Sequence, residues 1–189
     1  ARGLLGELEP AQAAALLGRL DPDTRAARLA LLHDNTRKEL ELLLTFPADA
    51  AGHLMDPRVS GFRHGMTVGE AEARLRMQKA RRVNELYVVD DEQRLEARVP
   101  LQDLAIADPK QTLAAIARPL LAVVSPVRTR DEVVELLEQH KLASLPVVDH
   151  DRRLIGDHGR HANPRKRALD AGQVSTPVVD DGDHSMPLV

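Results

Sequence analysis

The chain changes its period about a third of the way along. From Leu8 to Thr45 apolar residues recur at helical spacing, whereas from about Val59 short apolar runs alternate with amphipathic stretches, the pattern of strands and helices in turn. In the first part, LEPAQAAALLG (Leu8 to Gly18) and LDPDTRAARLA (Leu20 to Ala30) superpose with a shift of 12 residues. Each sets an acidic residue and a Pro before an Ala/Leu/Arg-rich run, with Asp21 placed to cap free N–H groups and Pro22 suited to the first turn. A further helix is predicted over Thr36 to Thr45, with Leu40, Leu43 and Leu44 on one face and Pro47 ending it. Helices this short bury little alone, so they are expected to stack on neighbours.

The second part carries a longer repeat. LYVVDDEQRL (Leu86 to Leu95) matches LPVVDHDRRL (Leu145 to Leu154) with a shift of 59 residues. Each copy follows a helix with a matching start, in which Thr67 and Thr129 are the expected N-caps and Glu70 and Glu132, three residues on, their capping-box partners. The unit reads strand, helix, strand, turn, strand, helix, twice over, with DDEQ and DHDR as the turns. The first copy closes through Ala97 to Pro100 into the helix LQDLAIA before Asp108-Pro109. The second does not: from Asp157 the chain reads DHGRHANPRKR, with neither strand alternation nor a helical apolar face. A divergent tail and a changed reading frame both produce such a break. Either leaves a sheet edge expected to be covered by a partner chain.

Composition narrows the classes. With 189 residues and 43% apolar content the chain can bury a core, and 26 basic against 29 acidic residues give a net charge of -3 that offers no general pull toward nucleic acid. Cys is absent, which removes disulfides, thiolate catalysis and Cys-ligated zinc. Aromatic residues are 2% of the chain, too few for base-stacking platforms, and no apolar run approaches the roughly 20 residues that cross a bilayer. Ser125, Ser144 and Ser175 lie in no nucleophile-elbow context, and no phosphate-cradling Gly-rich loop occurs, so the chain is read as a non-enzyme. His158 and His161 are three apart, a zinc pair in one reading and a solvated loop in the other, with Gly159 between them and Pro164 after them favouring the loop. PRKR at Pro164 to Arg167 reads as a solvated basic run, with contact to nucleic acid or anionic lipid as its alternative.

The duplicated unit resembles the CBS (cystathionine-β-synthase) domain pair, a β-α-β-β-α module. The run FPADAAGHLMDP (Phe46 to Pro57), followed by GMTVGEAE, YVVD and IADP, narrows the likeness to the cytosolic part of the MgtE family of magnesium transporters. The resemblance covers about residues 1 to 156 and implies an α+β fold: a short N-terminal helical repeat domain (1–52), CBS repeat 1 (53–110), a divergent or truncated CBS repeat 2 (111–163) and a tail (164–189) that is poorly ordered or swapped into another subunit. It further implies a cytoplasmic magnesium-sensing, adenine-nucleotide-binding module, a homodimer through CBS faces, and a membrane channel domain in the full-length protein. The alternative is a stand-alone CBS-pair scaffold that dimerises and binds a partner protein without sensing magnesium.

Residue by residue, the family's nucleotide motif falls on ARVPLQD, where Asp103 takes the ribose position and Pro100 replaces the phosphate-facing hydroxyl. In the second unit Gly159 and Ala162 fall at those two positions, so no site is expected there. The ligands implied are ATP or AMP, with Asp103 at the ribose, Gln102 beside it, and Ala122 and Leu142 lining the base. Asp103 also has a plain reading as a helix-start carboxylate satisfying backbone N–H groups. For Mg2+, the aligned positions hold Thr129, Lys141 and HANPR, leaving Asp131 and the Gly52 carbonyl as ligands, while the Lys141 ammonium opposes a bridging cation. Asp131 and Glu132 also read as first-turn carboxylates.

Overall fold

The computed structural model describes residues 8–77 and 83–159. Helices α1 (Pro10–Leu17) and α2 (Pro22–Leu29) each begin on the anticipated Pro. Their caps differ. Asp21 accepts the Thr24 N–H at 2.9 Å, whereas Glu9 makes no cap bond and its carboxylate instead meets Arg58 at 3.0 Å. Helix α3 (Asp34–Leu44) starts two residues earlier than Thr36, because Asp34 sits well in the first turn and pairs with Arg37 one turn on at 3.0 Å. A single turn, α4 (Ala51–Leu54), follows Pro47.

The repeated part contains β1 (Gly61–Arg63), α5 (Val68–Met77), β2 (Glu85–Val89), β3 (Leu95–Pro100), α6 (Leu101–Ile106) and α7 (Leu113–Ile116), then α8 (Arg130–Gln139), β4 (Ser144–Val148) and β5 (Leu154–Gly159). Both capping boxes form: the Thr67 and Thr129 N–H groups reach Glu70 and Glu132 at 2.8 and 2.9 Å. β2 runs parallel to β1 and antiparallel to β3, and β4 is antiparallel to β5. The shift of 59 holds at atomic detail: both hairpins break register at the same point, between Val88 and Val89 and between Val147 and Val148. Both turns also use a left-handed residue at the same place, Gln93 at φ 66° and Arg152 at φ 63°. Where β1 stands in the first unit, the second has a single parallel bridge from Val124 to Val147.

The expected break at Asp157 does not occur there. β5 continues through Asp157 and His158 to Gly159, six residues that pair with β4 as β3 pairs with β2, so His158 faces Leu145 where Val99 faces Leu86. Cross-strand pairing overrides the poor strand propensity of Gly, Asp and His. The edge of β5 is likewise not left for a partner chain at this point. Asp56 of the same chain donates its N–H to the Asp157 carbonyl at 2.8 Å and accepts the Asp157 N–H at 3.1 Å. The equivalent pairing on the first unit joins Arg118 and Arg98, at 2.7 and 3.0 Å. His161, Ala162 and the expected tail at 164–189 lie outside the described residues.

Among the described residues the core falls into three apolar clusters. One belongs to the first unit around Phe62, Val68, Leu86, Val99 and Leu113. A small one, Tyr87, Val89, Leu95 and Val148, joins the two units. The largest merges the helices with the second unit, taking Leu17, Leu40, Leu43 and Met55 together with Val133, Leu137, Leu145 and Val147. Gly156 in LIGDHG is explained by this merger. The fully buried Met55 lies over it so closely that a Cβ there would collide with its thioether. Gly156→Val is therefore expected to cost about 1–3 kcal/mol through overpacking. In the Met55→Ala background the same change should cost clearly less, read as a coupling energy in a urea-denaturation double-mutant cycle.

Candidate functional site

Strand β3 ends at Pro100, and α6 starts at once, which places Asp103 in its first turn. The helix is polar-capped by no side chain, and the Asp103 carboxylate is taken by Arg118, whose NH2 group donates to Oδ1 at 2.7 Å and whose Nε faces Oδ2. Next to this pair, Arg98 donates to Glu85 at 2.8 Å and to the Pro119 carbonyl at 3.2 Å. Gln102 is exposed beside Asp103. Ala122 and Leu142 are half-buried against the large helical and second-unit cluster, and the side chain that meets Asp103 is Arg118. Composition and motif spacing did not single out Arg118. Its signal was the repeat: it precedes the second unit as Asp56 precedes the first, and such residues bridge the outer strand of the other unit.

Across the inter-unit junction the chemistry changes sign. At the place matching Arg98, the second unit has Asp157, which accepts a hydrogen bond from the Tyr87 hydroxyl at 2.9 Å, and Ser144 lies 3.4 Å from that hydroxyl. Burial, aided by nearby Glu85 and Asp56, pushes the Asp157 carboxyl up to about 6, and burial likewise raises the Tyr87 phenol. One residue on, His158 is 1% exposed, and neither ring nitrogen has a hydrogen-bond partner among the described residues. The loop reading of His158 is overturned, since the ring sits in the core position of Val99 and burial lowers its affinity for a proton, while His161, its partner in the zinc reading, lies outside the described residues.

The two magnesium candidates lie at one seam. Ala51 and Gly52 donate to the carbonyls of Arg128 and Pro126 at 2.7 and 2.8 Å, and Arg130 donates to the Asp49 carbonyl at 2.8 Å. Gly52 is held against the Phe46 ring, where a Cβ would come within 2.6 Å. Exposed carboxylates thus stand on either side of the seam, Asp49 on the helical domain and Asp131 on α8. Glu132 is committed to its capping box and to Arg128 at 2.7 Å, and Lys141 is exposed with φ 53° at the far end of α8. The first unit also carries a surface cavity of about 240 Å³ lined by Arg63, His64, Met66, Glu70 and Asp91, at the end of the sheet opposite Asp103. Among the described residues no helix is long and apolar enough to cross a membrane.

Comparison with known proteins places this geometry. The CBS domain model matches residues 113–156. The magnesium transporter MgtE of Thermus thermophilus is 38% identical over 122 residues, 64% of this chain and 27% of the transporter, so the chain spans about a quarter of that relative. The crystal structure of the cytosolic domain of the Mg2+ channel MgtE in complex with ATP superposes with a TM-score of 0.80 and 34% identity, covering 90% of this chain and 68% of that one. The soluble part of a magnesium transporter gives a TM-score of 0.78 at 25% identity, covering 89% and 66%.

Asp157 and His158 have opposed pH effects. The Asp157 carboxyl keeps its proton to higher pH when folded, so its share of stability is full below about pH 4 and lost as pH rises through about 6, an effect of roughly 3 kcal/mol. His158, depressed from 6.5, contributes above that value and its share is lost as pH falls. Asp21, Glu70 and Glu132, held low by backbone N–H donors, contribute stability above their ordinary values of 3.8 to 4.5 and lose it as pH falls below them. Urea midpoints at pH 7 and pH 5 should therefore drop on acidification in Asp157→Asn more than in the parent, and should rise in His158→Val.

Proposed function

The chain belongs to the MgtE family, of which it comprises the helical and CBS part, and on that premise we propose that it is a cytosolic regulatory module whose conformation answers adenine nucleotide and magnesium. The observation that carries this reading is the retention of Asp103 at the end of the first unit's hairpin, in a chain that superposes over 90% of its length on an MgtE cytosolic domain crystallised with ATP. The carboxylate accepts hydroxyl groups, and Gln102 is exposed beside it. The likeness runs through both the helices and the CBS units of transporters, which does not favour the stand-alone scaffold.

Magnesium enters at the seam, where the Asp49 and Asp131 carboxylates and the Gly52 carbonyl are oxygen donors of the kind the ion takes. With one carboxylate on each side, and direct backbone hydrogen bonds already holding the seam, the response is a weak one. A ligand that prefers the closed seam shifts the angle between helical and CBS parts by its difference in affinity for the two states. Binding rather than catalysis is the activity proposed. A homodimer through CBS faces belongs to the same reading: Ile106 is 87% exposed and Val127 69%, apolar surface that pairing covers. In the full-length transporter the module would act on a membrane channel domain.

Small-angle scattering and limited proteolysis with millimolar magnesium, ATP or AMP test this. Compaction and protection are expected, and an unchanged radius and cleavage pattern with all three would sink the sensor reading. Asp103→Asn should weaken ATP binding about tenfold or more, the worth of a hydrogen bond to a charged group, measured by isothermal titration calorimetry. Asp131→Ala should leave ATP binding unchanged and reduce the magnesium-dependent protection.

A further inference from the structure

We infer that Arg118 is a specificity-determining residue, which pairs with Asp103 until a ligand displaces it and selects phosphorylated nucleotides over nucleosides. The inference rests on the nucleotide reading of Asp103. Its starting point is that both carboxylate oxygens of Asp103 face the guanidinium of Arg118. A ribose that takes its two hydroxyls to this carboxylate has to displace that fork.

The anchoring of Arg118 allows such a displacement without disturbing the fold. Its backbone is pinned on both sides to Arg98, at 2.7 and 3.0 Å, and the next carbonyl, of Pro119, accepts from the Arg98 guanidinium at 3.2 Å. The side chain, in contrast, is 57% exposed while that of Asp103 is 21% exposed. The residue is therefore a fixed pivot with a guanidinium free to turn in solvent. Arg98 itself is held by Glu85 at 2.8 Å and is 16% exposed, so it does not share this freedom. Pro100, between strand and helix, offers neither a hydroxyl nor an N–H. Among the described cationic groups at this strand end, Arg118 is the one whose side chain is mostly exposed and can leave its partner.

Magnitudes decide the direction. An ion pair whose cation lies mostly in solvent is worth about fivefold in an equilibrium, so opening the Arg118–Asp103 pair is cheap. A guanidinium on phosphate forms a charge-assisted, two-pronged contact that is stronger than a neutral one. A nucleoside displaces Arg118 and gives it nothing in return. A nucleotide displaces it and supplies phosphate oxygens within the sweep of the same side chain. The exchange of partners turns a contact that opposes nucleosides into one that favours nucleotides.

The test is calorimetric titration of the 189-residue chain and of Arg118→Ala with adenosine, AMP and ATP, with Arg118→Lys as a second variant and thermal melting as the check on folding. The parent should prefer ATP to adenosine. In Arg118→Ala the ATP affinity should fall about tenfold while adenosine binds as well or up to about fivefold better, and Arg118→Lys should lie between. Equal loss for ATP and adenosine, or an unchanged ratio between them, would overturn the role of Arg118 and leave the nucleotide reading standing. No binding of any of the three by the parent overturns the nucleotide reading, and Arg118 with it.

Discussion

The structure depends on a reciprocal exchange of backbone hydrogen bonds between the two repeats. The segment that leads into the first unit, at Asp56, bonds the outer strand of the second, and the segment that leads into the second, at Arg118, bonds the outer strand of the first. Unpaired N–H and C=O groups on a strand edge are costly to bury and hazardous to expose. Here each half answers that problem for the other at one residue of its outer strand. The same two residues fix the local chemistry: Arg118 is carried to Asp103, and Asp56 is carried to Asp157.

Much of this was legible from the sequence because it obeys local rules. The shift of 59 between YVVD and PVVD fixed both hairpins, and Thr-x-x-Glu at Thr67 and Thr129 fixed both helix starts. What could not be read was non-local. DHG after Gly156 has no strand character of its own, and it is a strand because β4 presents a matching ladder and Asp56 closes the far side. Likewise Asp103 was identified, but the Arg118 guanidinium on it was not, since 15 residues and a second helix separate them in the chain. Ala122 and Leu142 are implied by the family resemblance, and they pack with the second unit's core, where the helical domain adds its apolar surface.

The merged core gives the seam its physical meaning. Met55 on Gly156 ties the helical part to β5, while Ala51 and Gly52 tie it to the approach to α8. Two contacts of different kinds thus meet at one joint, dry packing on one side and backbone hydrogen bonds flanked by Asp49 and Asp131 on the other. Such a joint keeps its dry contact at β5 apart from its polar contact at α8. Asp157, neighboured by Glu85 and Asp56 and bonded to Tyr87, lies where the joint and the inter-unit junction meet.

The reciprocal pairing also bears on how such a molecule can arise. A lone repeat wired in this way carries one unsatisfied outer strand and one unsatisfied leading segment, and these complement each other but cannot meet within the same copy. Two identical copies can satisfy each other as the halves do here, which makes the single repeat a natural self-associating pair and its tandem duplication a covalent version of it. The two halves were then free to diverge in side chains, as Val99 and His158 or Arg98 and Asp157 have done, while the exchanged backbone bonds had to be kept. In this chain each half lends the other the backbone partner that its outer strand lacks.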